Sequence, residues 1–194
     1  MARQERFKEN NILNDATTLF WKKGFHQTSI QDLVDSLGLN RASLYDKYHD
    51  KEGLFKTCLI AYRTQVINMA TKTLMEDKST KKGFQNLFKW IINSIAKDSD
   101  KKGCLISNTY ASLAPSKHNQ NHSLLHETKD LWVNLIHSAL KKGKKNNEIK
   151  NGINIAKSTH NIYVSMVGAT ILSKINTKPT DLKNSLETHL NIFK

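Results

Sequence analysis

The chain has 194 residues, 38% of them hydrophobic, with two prolines, eight glycines, two cysteines and a formal net charge of +13. That length can bury a core without disulfide or metal staples, and no stretch approaches the roughly 20 apolar residues of a membrane-spanning helix. Residues 1–14 are too polar for a secretory signal, so a cytoplasmic protein with no membrane partner is expected, and Cys58 and Cys104 read as free thiols.

Apolar residues recur at helical spacing throughout, and no segment alternates with the two-residue period of a strand. The first helix is expected over Arg3 to Lys23, with Ile12, Leu13, Ala16, Leu19 and Phe20 on one stripe. Gly24 ends it, and Lys22 and Lys23 sit where the helix dipole favours cations. A short helix follows over Ile30 to Leu37, with Thr28 and Ser29 as cap candidates and Asp32 three residues past Ser29. Gly38-Leu39-Asn40 forms a three-residue turn into a second short helix, Arg41 to Tyr48, which Asn40 is placed to cap. His49 and Asp50 break that helix, and a long one is expected from Lys51 to Asp77.

Five more helices are expected: Lys81–Lys97, Leu105–Ala114, Ser123–Lys144, Ile153–Asn176 and Thr180–Phe193. Polar or glycine-bearing separators divide them, among them Lys101-Lys102-Gly103 and the stretch from Pro115 to Asn121. The fold expected is all-α, with about nine helices.

Two short helices joined by a three-residue turn make a helix-turn-helix, in which the second helix reads the DNA major groove. Leu33, Val34 and Leu37 form the inner face of the first helix, Leu39 inserts from the turn, and Leu44 and Tyr48 pack the second helix against them. Ala42, Ser43, Tyr45 and Asp46 then point outward, flanked by Arg41 and Lys47. Small residues let a helix seat deeply in the groove. Tyr45 suits a phosphate or a thymine methyl, and Arg41 and Lys47 suit phosphates or a guanine edge. Asp46 is the odd member, since a carboxylate near DNA is repelled unless it accepts from cytosine. Thr28 and Lys51 stand at helix N-termini, where backbone N–H groups also face phosphates. Tyr48 lies in the same stretch and completes the DNA-binding set. The net charge is no guide to this face. Residues 1–56 hold nine Lys/Arg against eight Asp/Glu, so +12 of the excess lies beyond them.

The run FHQTSIQDLVDSLGLNRASLYDKYHDKEGLF, Phe25 to Phe55, resembles the DNA-binding signature of the TetR family of transcriptional regulators. The matching residues are Thr28-Ser29, Gly38-Leu39-Asn40, Arg41, Ala42-Ser43, Leu44-Tyr45, Tyr48, and Lys51-Glu52 with Leu54. Asn40 stands where serine is usual and Tyr48 where phenylalanine is usual. The resemblance implies a DNA-binding domain over residues 1–50 and a ligand-binding and dimerisation domain over 51–194. It implies a repressor that binds palindromic double-stranded operator DNA as a homodimer, pairs through its last two helices and is released by a small-molecule inducer. Ile162, Val164, Met166, Val167, Ile171, Leu172, Leu186, Leu190 and Phe193 would supply the apolar dimer surface, with Gly168 and Ala169 permitting close approach.

The segment from Gly103 to Thr109 resembles a GCL…NT stretch opening the sixth helix in one branch of the family. Pocket candidates are Tyr62, Trp90, Cys104, Tyr110, Trp132, His137 and Tyr163, though any one of them taken singly reads more readily as core. His118, His122 and His126 share a helical face at four-residue spacing, but their Asn- and Ser-rich surroundings favour solvated histidines over a metal site. No cofactor is expected. There is no phosphate-binding glycine loop, HExxH or GxSxG, so nothing points to an enzyme.

Overall fold

The computed structural model describes residues 2–112, 121–175 and 177–194, with side chains from residue 11 onward. Helix α1 spans Ala2–Lys23, α2 Ile30–Leu37, α3 Arg41–Tyr48, α4 Lys51–Met75 and α5 Thr80–Lys97. Helix α6 spans Leu105–Ser112, α7 Asn121–Lys145, α8 Ile155–Leu172 and α9 Pro179–Glu187. Short 3-10 turns follow α8 over Ser173–Ile175 and α9 over Thr188–Ile192.

The N-terminal elements form where capping chemistry dictates. Ser29 accepts from the Asp32 backbone N–H at 3.0 Å while Asp32 accepts from the Ser29 N–H at 2.9 Å, a complete capping box opening α2. The Lys23 ammonium, bonded to Asp32 at 2.7 Å, and the Ser29 N–H hold that carboxyl down at about 2. Gly38 closes α2 at φ 61°, in the left-handed region a β-carbon disfavours. Asn40 then caps α3 through the Ser43 N–H at 2.8 Å, and Asp50 caps α4 through the Gly53 N–H at 2.7 Å.

Two apolar clusters form the interior. One joins Ala16, Phe20, Leu33, Leu44 and Tyr48 to Leu54, Phe55, Cys58 and Leu59 of α4, and to Leu105, Ile106, Leu124 and Leu125. The head is therefore built onto the first half of α4 rather than beside it. Phe20 packs edge-on against Phe55 at 4.9 Å between ring centroids, and burying one such ring is worth roughly 1.5–3 kcal/mol. The second cluster gathers α5, α7, α8 and α9 around Phe84, Phe88, Ile136, Leu140, Ile162 and Leu186.

The C-terminal helices depart from the sequence expectation. Helix α8 stops at Leu172, and the last residues wind as a 3-10 turn that ends in an antiparallel bridge between Phe193 and Ile149. Of the nine residues expected on a dimer surface, Ile162, Met166, Leu186 and Phe193 are buried inside the chain's own core. Val164, Ile171 and Leu172 are exposed, and Ile175 joins them at 71% exposure. Among the described residues no helix is long and apolar enough to cross a membrane.

Candidate DNA-reading face and ligand cavity

On α3 the inner and outer faces separate cleanly. Leu44 and Tyr48 are buried, while Arg41, Ala42, Ser43, Tyr45, Asp46 and Lys47 are all exposed. Tyr45 shows 39% of its surface, an aromatic ring beside two small residues on a helix of eight. Tyr48 is only 6% exposed, so its ring supports α3 from behind instead of extending its outer face.

Two further residues of the expected DNA set are committed inside the head. Thr28 is fully buried, and its Oγ1 donates to the Gly24 carbonyl at 2.7 Å. Its side chain is thereby withdrawn from solvent and can offer DNA only its backbone. The Lys51 ammonium donates to the carbonyls of Phe25 at 3.0 Å and Thr28 at 2.9 Å, and lies 4.4 Å from the Phe25 ring centroid. It fastens the α1–α2 loop to the start of α4. Sequence spacing could not show this, because the three positions meet only once α4 folds back on the head.

A cavity of about 580 Å³ lies behind the head, within the range of small-molecule sites. Tyr62, Trp90, Cys104, Tyr110, Trp132 and Tyr163 all line it. His137 does not; it sits elsewhere on α7, half-buried. The unexpected wall is α1, which contributes Asn14, Thr17, Thr18 and Trp21. Those positions run i, i+3, i+4, i+7, a second helical face whose polar residues hid it beside the apolar stripe. Trp21, an indole off that stripe, was the signal.

The loop from Asp98 to Cys104 forms another wall. Asp98 accepts from the Lys102 ammonium and from the Gly103 N–H, both at 2.8 Å. That carboxylate, with Asp100 beside it, raises the Lys102 pKa against a smaller desolvation cost. The Trp21 indole donates to the Lys102 carbonyl at 3.2 Å, and Lys22 pairs with Asp100 at 2.9 Å. Deeper in, Tyr163 donates to Tyr110 at 3.1 Å, Tyr110 to the Leu125 carbonyl at 3.2 Å, and Tyr62 to Cys104 Sγ at 3.5 Å. Desolvation pushes all three phenols above the ordinary tyrosine value, so they stay protonated.

The exposed His122 and His126 rings lie 4.8 Å apart, and His118 falls outside the described residues. Among the described residues no group of three histidine, cysteine or acidic side chains could hold a metal ion.

Residues 12–58 match the N-terminal model of the bacterial regulatory proteins of the tetR family. Residues 83–188 match a tetracyclin repressor-like C-terminal domain. The chain is 24% identical over its full length to YezE of Bacillus subtilis, an uncharacterised HTH-type transcriptional regulator, and covers all of it. It is 30% identical over 115 residues to the HTH-type transcriptional repressor ComR of Escherichia coli K12. That alignment takes 59% of this chain and spans only about half of ComR, 55% of its length. The fold superposes on a cysteine-substituted form of the regulator CifR, solved with a 26-base-pair operator duplex, at a TM-score of 0.84 and 18% identity. The superposition covers 95% of this chain and 96% of that one.

Proposed function

This chain belongs to the TetR family of bacterial transcriptional regulators, and we propose that it is a repressor working as a homodimer on a palindromic operator in the cytoplasm. A small molecule entering the cavity releases it. The observation that carries the reading is α3 itself. Leu44 and Tyr48 lock it inward while Arg41, Ala42, Ser43, Tyr45, Asp46 and Lys47 face outward as one surface. Arg41 and Lys47 take phosphates or a guanine edge, the small pair admits close approach, and Tyr45 supplies the aromatic contact. Asp46 serves as a specificity element through its bias toward a cytosine amino group.

The face formed by Val164, Ile171 and Leu172 of α8 and continued by Ile175 in the turn after it supports pairing with a second copy. Gly168 lies along it with nothing within 4 Å of where a β-carbon would stand, so a partner helix can come close. Two reading helices held by such a dimer meet half-sites about one DNA turn apart.

Release follows from which helices wall the cavity. Helix α1 lines it through Asn14, Thr17, Thr18 and Trp21, and on its other face buries Ala16 and Phe20 in the head. Helix α4 lines it through Tyr62, Gln65 and Val66 and holds the head through Leu54, Phe55, Cys58 and Leu59. A ligand that displaces either helix displaces the head and the spacing of the two reading helices. Footprinting on the DNA flanking the gene tests the reading. A palindromic site protected by the unmodified protein and lost with Tyr45→Ala is expected; equal protection by the variant removes α3 as the reading helix.

A further inference from the structure

The cavity's chemistry restricts what can fill it. All three tryptophans of the chain, Trp21, Trp90 and Trp132, line it together with Tyr62, Tyr110 and Tyr163. Flat aromatic matter is what such walls hold best. Charge is a poor match, because the Asp98 carboxylate and the Lys102 ammonium neutralise each other at 2.8 Å, and Lys97 is exposed to solvent. Among the described lining residues no uncompensated carboxylate remains to reward a cation, and no inward cation to reward an anion.

The hydrogen-bond directions carry the argument further. The Leu125 carbonyl can only accept, so the single Tyr110 hydroxyl hydrogen is committed to it at 3.2 Å. Tyr110 must therefore be the acceptor of its 3.1 Å bond with Tyr163, and the Tyr163 hydrogen is committed in turn. What Tyr163 has left to show a ligand is a lone pair. Nearby, Ser107 and Thr170 are bonded to each other at 3.0 Å. An ether or carbonyl ligand could take a hydrogen from Tyr163 only by breaking the relay, and a carboxylate would face a lone pair.

Building on the reading of this cavity as the inducer site, we propose that it selects uncharged hydroxylated aromatics, phenols, that donate their hydrogen to Tyr163 Oη and lie among the indole and phenol rings. The tyrosines are raised above their ordinary pKa by desolvation, so the relay is intact across the neutral range.

The test uses the full-length protein and four probes: 4-phenylphenol, 4-methoxybiphenyl, biphenyl-4-carboxylate and the 4-phenylbenzylammonium cation, each titrated by calorimetry. The phenol is expected to bind about tenfold tighter than each of the others, the scale of one hydrogen bond. Tyr163→Phe should weaken the phenol to the level of the ether and leave the ether unchanged. Tyr110→Phe is the sharper variant. It frees the Tyr163 hydrogen to point into the cavity, so the ether should gain affinity and the phenol's preference should shrink, which loss of packing alone would not produce. Equal binding of phenol and ether, a preference that persists in Tyr163→Phe, tighter binding of either ion, or no binding by any probe overturns the proposal. Operator release is read separately by fluorescence anisotropy. Phenol-selective binding without release keeps the cavity chemistry and removes the inducer role. Release by an ion alone keeps the inducer role and removes the phenol.

Discussion

The indole Nε1 of Trp21 donates to the Lys102 carbonyl at 3.2 Å, joining the last turn of α1 to the loop that walls the cavity. The Lys102 ammonium also lies 5.8 Å from the Trp21 ring centroid, and Lys22 reaches Asp100 of the same loop at 2.9 Å. The Lys22–Asp100 pair is solvent-exposed and contributes little, and the ring contact lies at the outer limit of useful range. The indole bond is half-buried and carries direction. It gives the head a strut to the Asp98–Cys104 loop that is independent of α4.

Trp21→Phe keeps the ring and deletes that donor. The loop should loosen relative to α1 while α2 and α3 stay as they are. The backbone amide of Gly103, which donates to Asp98 at 2.8 Å, is the reporter. Its hydrogen exchange should speed up by about fivefold, the scale of one modest hydrogen bond. Operator affinity without ligand should hold. Unchanged exchange at Gly103 would mean that the strut bears no load.

A second joint lies between α3 and α4. A β-carbon on Gly53 would stand 2.2 Å from the Tyr48 carbonyl oxygen, which is backbone and cannot swing away. Gly53→Ala should therefore destabilise by about 1–3 kcal/mol through forced displacement, read as a lowered denaturation midpoint. The displaced element is the reading helix, so operator binding should fall further than stability alone predicts. Retention of both would show that the α3–α4 turn tolerates rearrangement.

Much of this was legible in the sequence because local chemistry decided it. Helices α2 and α3 fall where expected, since Ser29, Asp32, Gly38 and Asn40 fix their ends within a few residues of themselves. What sequence reading missed depends on distant packing. The backbone N–H groups at Thr28 and Lys51 stay at helix starts, but the Thr28 hydroxyl is taken locally by Gly24 and the Lys51 ammonium, once α4 folds against the head, by the carbonyls of Phe25 and Thr28. The α1 wall is not legible because Asn14, Thr17 and Thr18 look like a solvated face until Tyr62 of α4 and the Lys102 loop meet Trp21. Helix α8 stops short of the expected Asn176: apolar residues continue past Leu172 to Ile175, which is exposed as the helix tightens into a 3-10 turn.

The proposed dimer face makes its own prediction. Val164 is 66% exposed on α8, so Val164→Glu should leave the monomer fold intact. Sedimentation should then show a monomer where the unmodified protein is dimeric, because a buried unpaired carboxylate at an interface centre is strongly unfavourable. Met69→Glu, at 46% exposure on α4, should leave assembly unchanged. A dimer that survives Val164→Glu would move the interface off this face of α8.

The same helix carries a pH dependence. His189, in the turn after α9, bonds Ser165 Oγ of α8 at 2.8 Å. Desolvation by burial holds its pKa below the ordinary 6.5. As pH falls from 6.5 the unfolded chain takes the proton first, so the native state loses stability from there down to the folded value. Above 6.5 that contribution is fully present. Urea unfolding midpoints taken from pH 8 to pH 5.5 should therefore fall toward acid, and His189→Gln, which cannot titrate, should flatten part of the slope. The chain holds seven other histidines, so the informative quantity is the difference between the two profiles. If the profiles run parallel from pH 8 to pH 5.5, the α8–α9 contact is not a source of acid sensitivity.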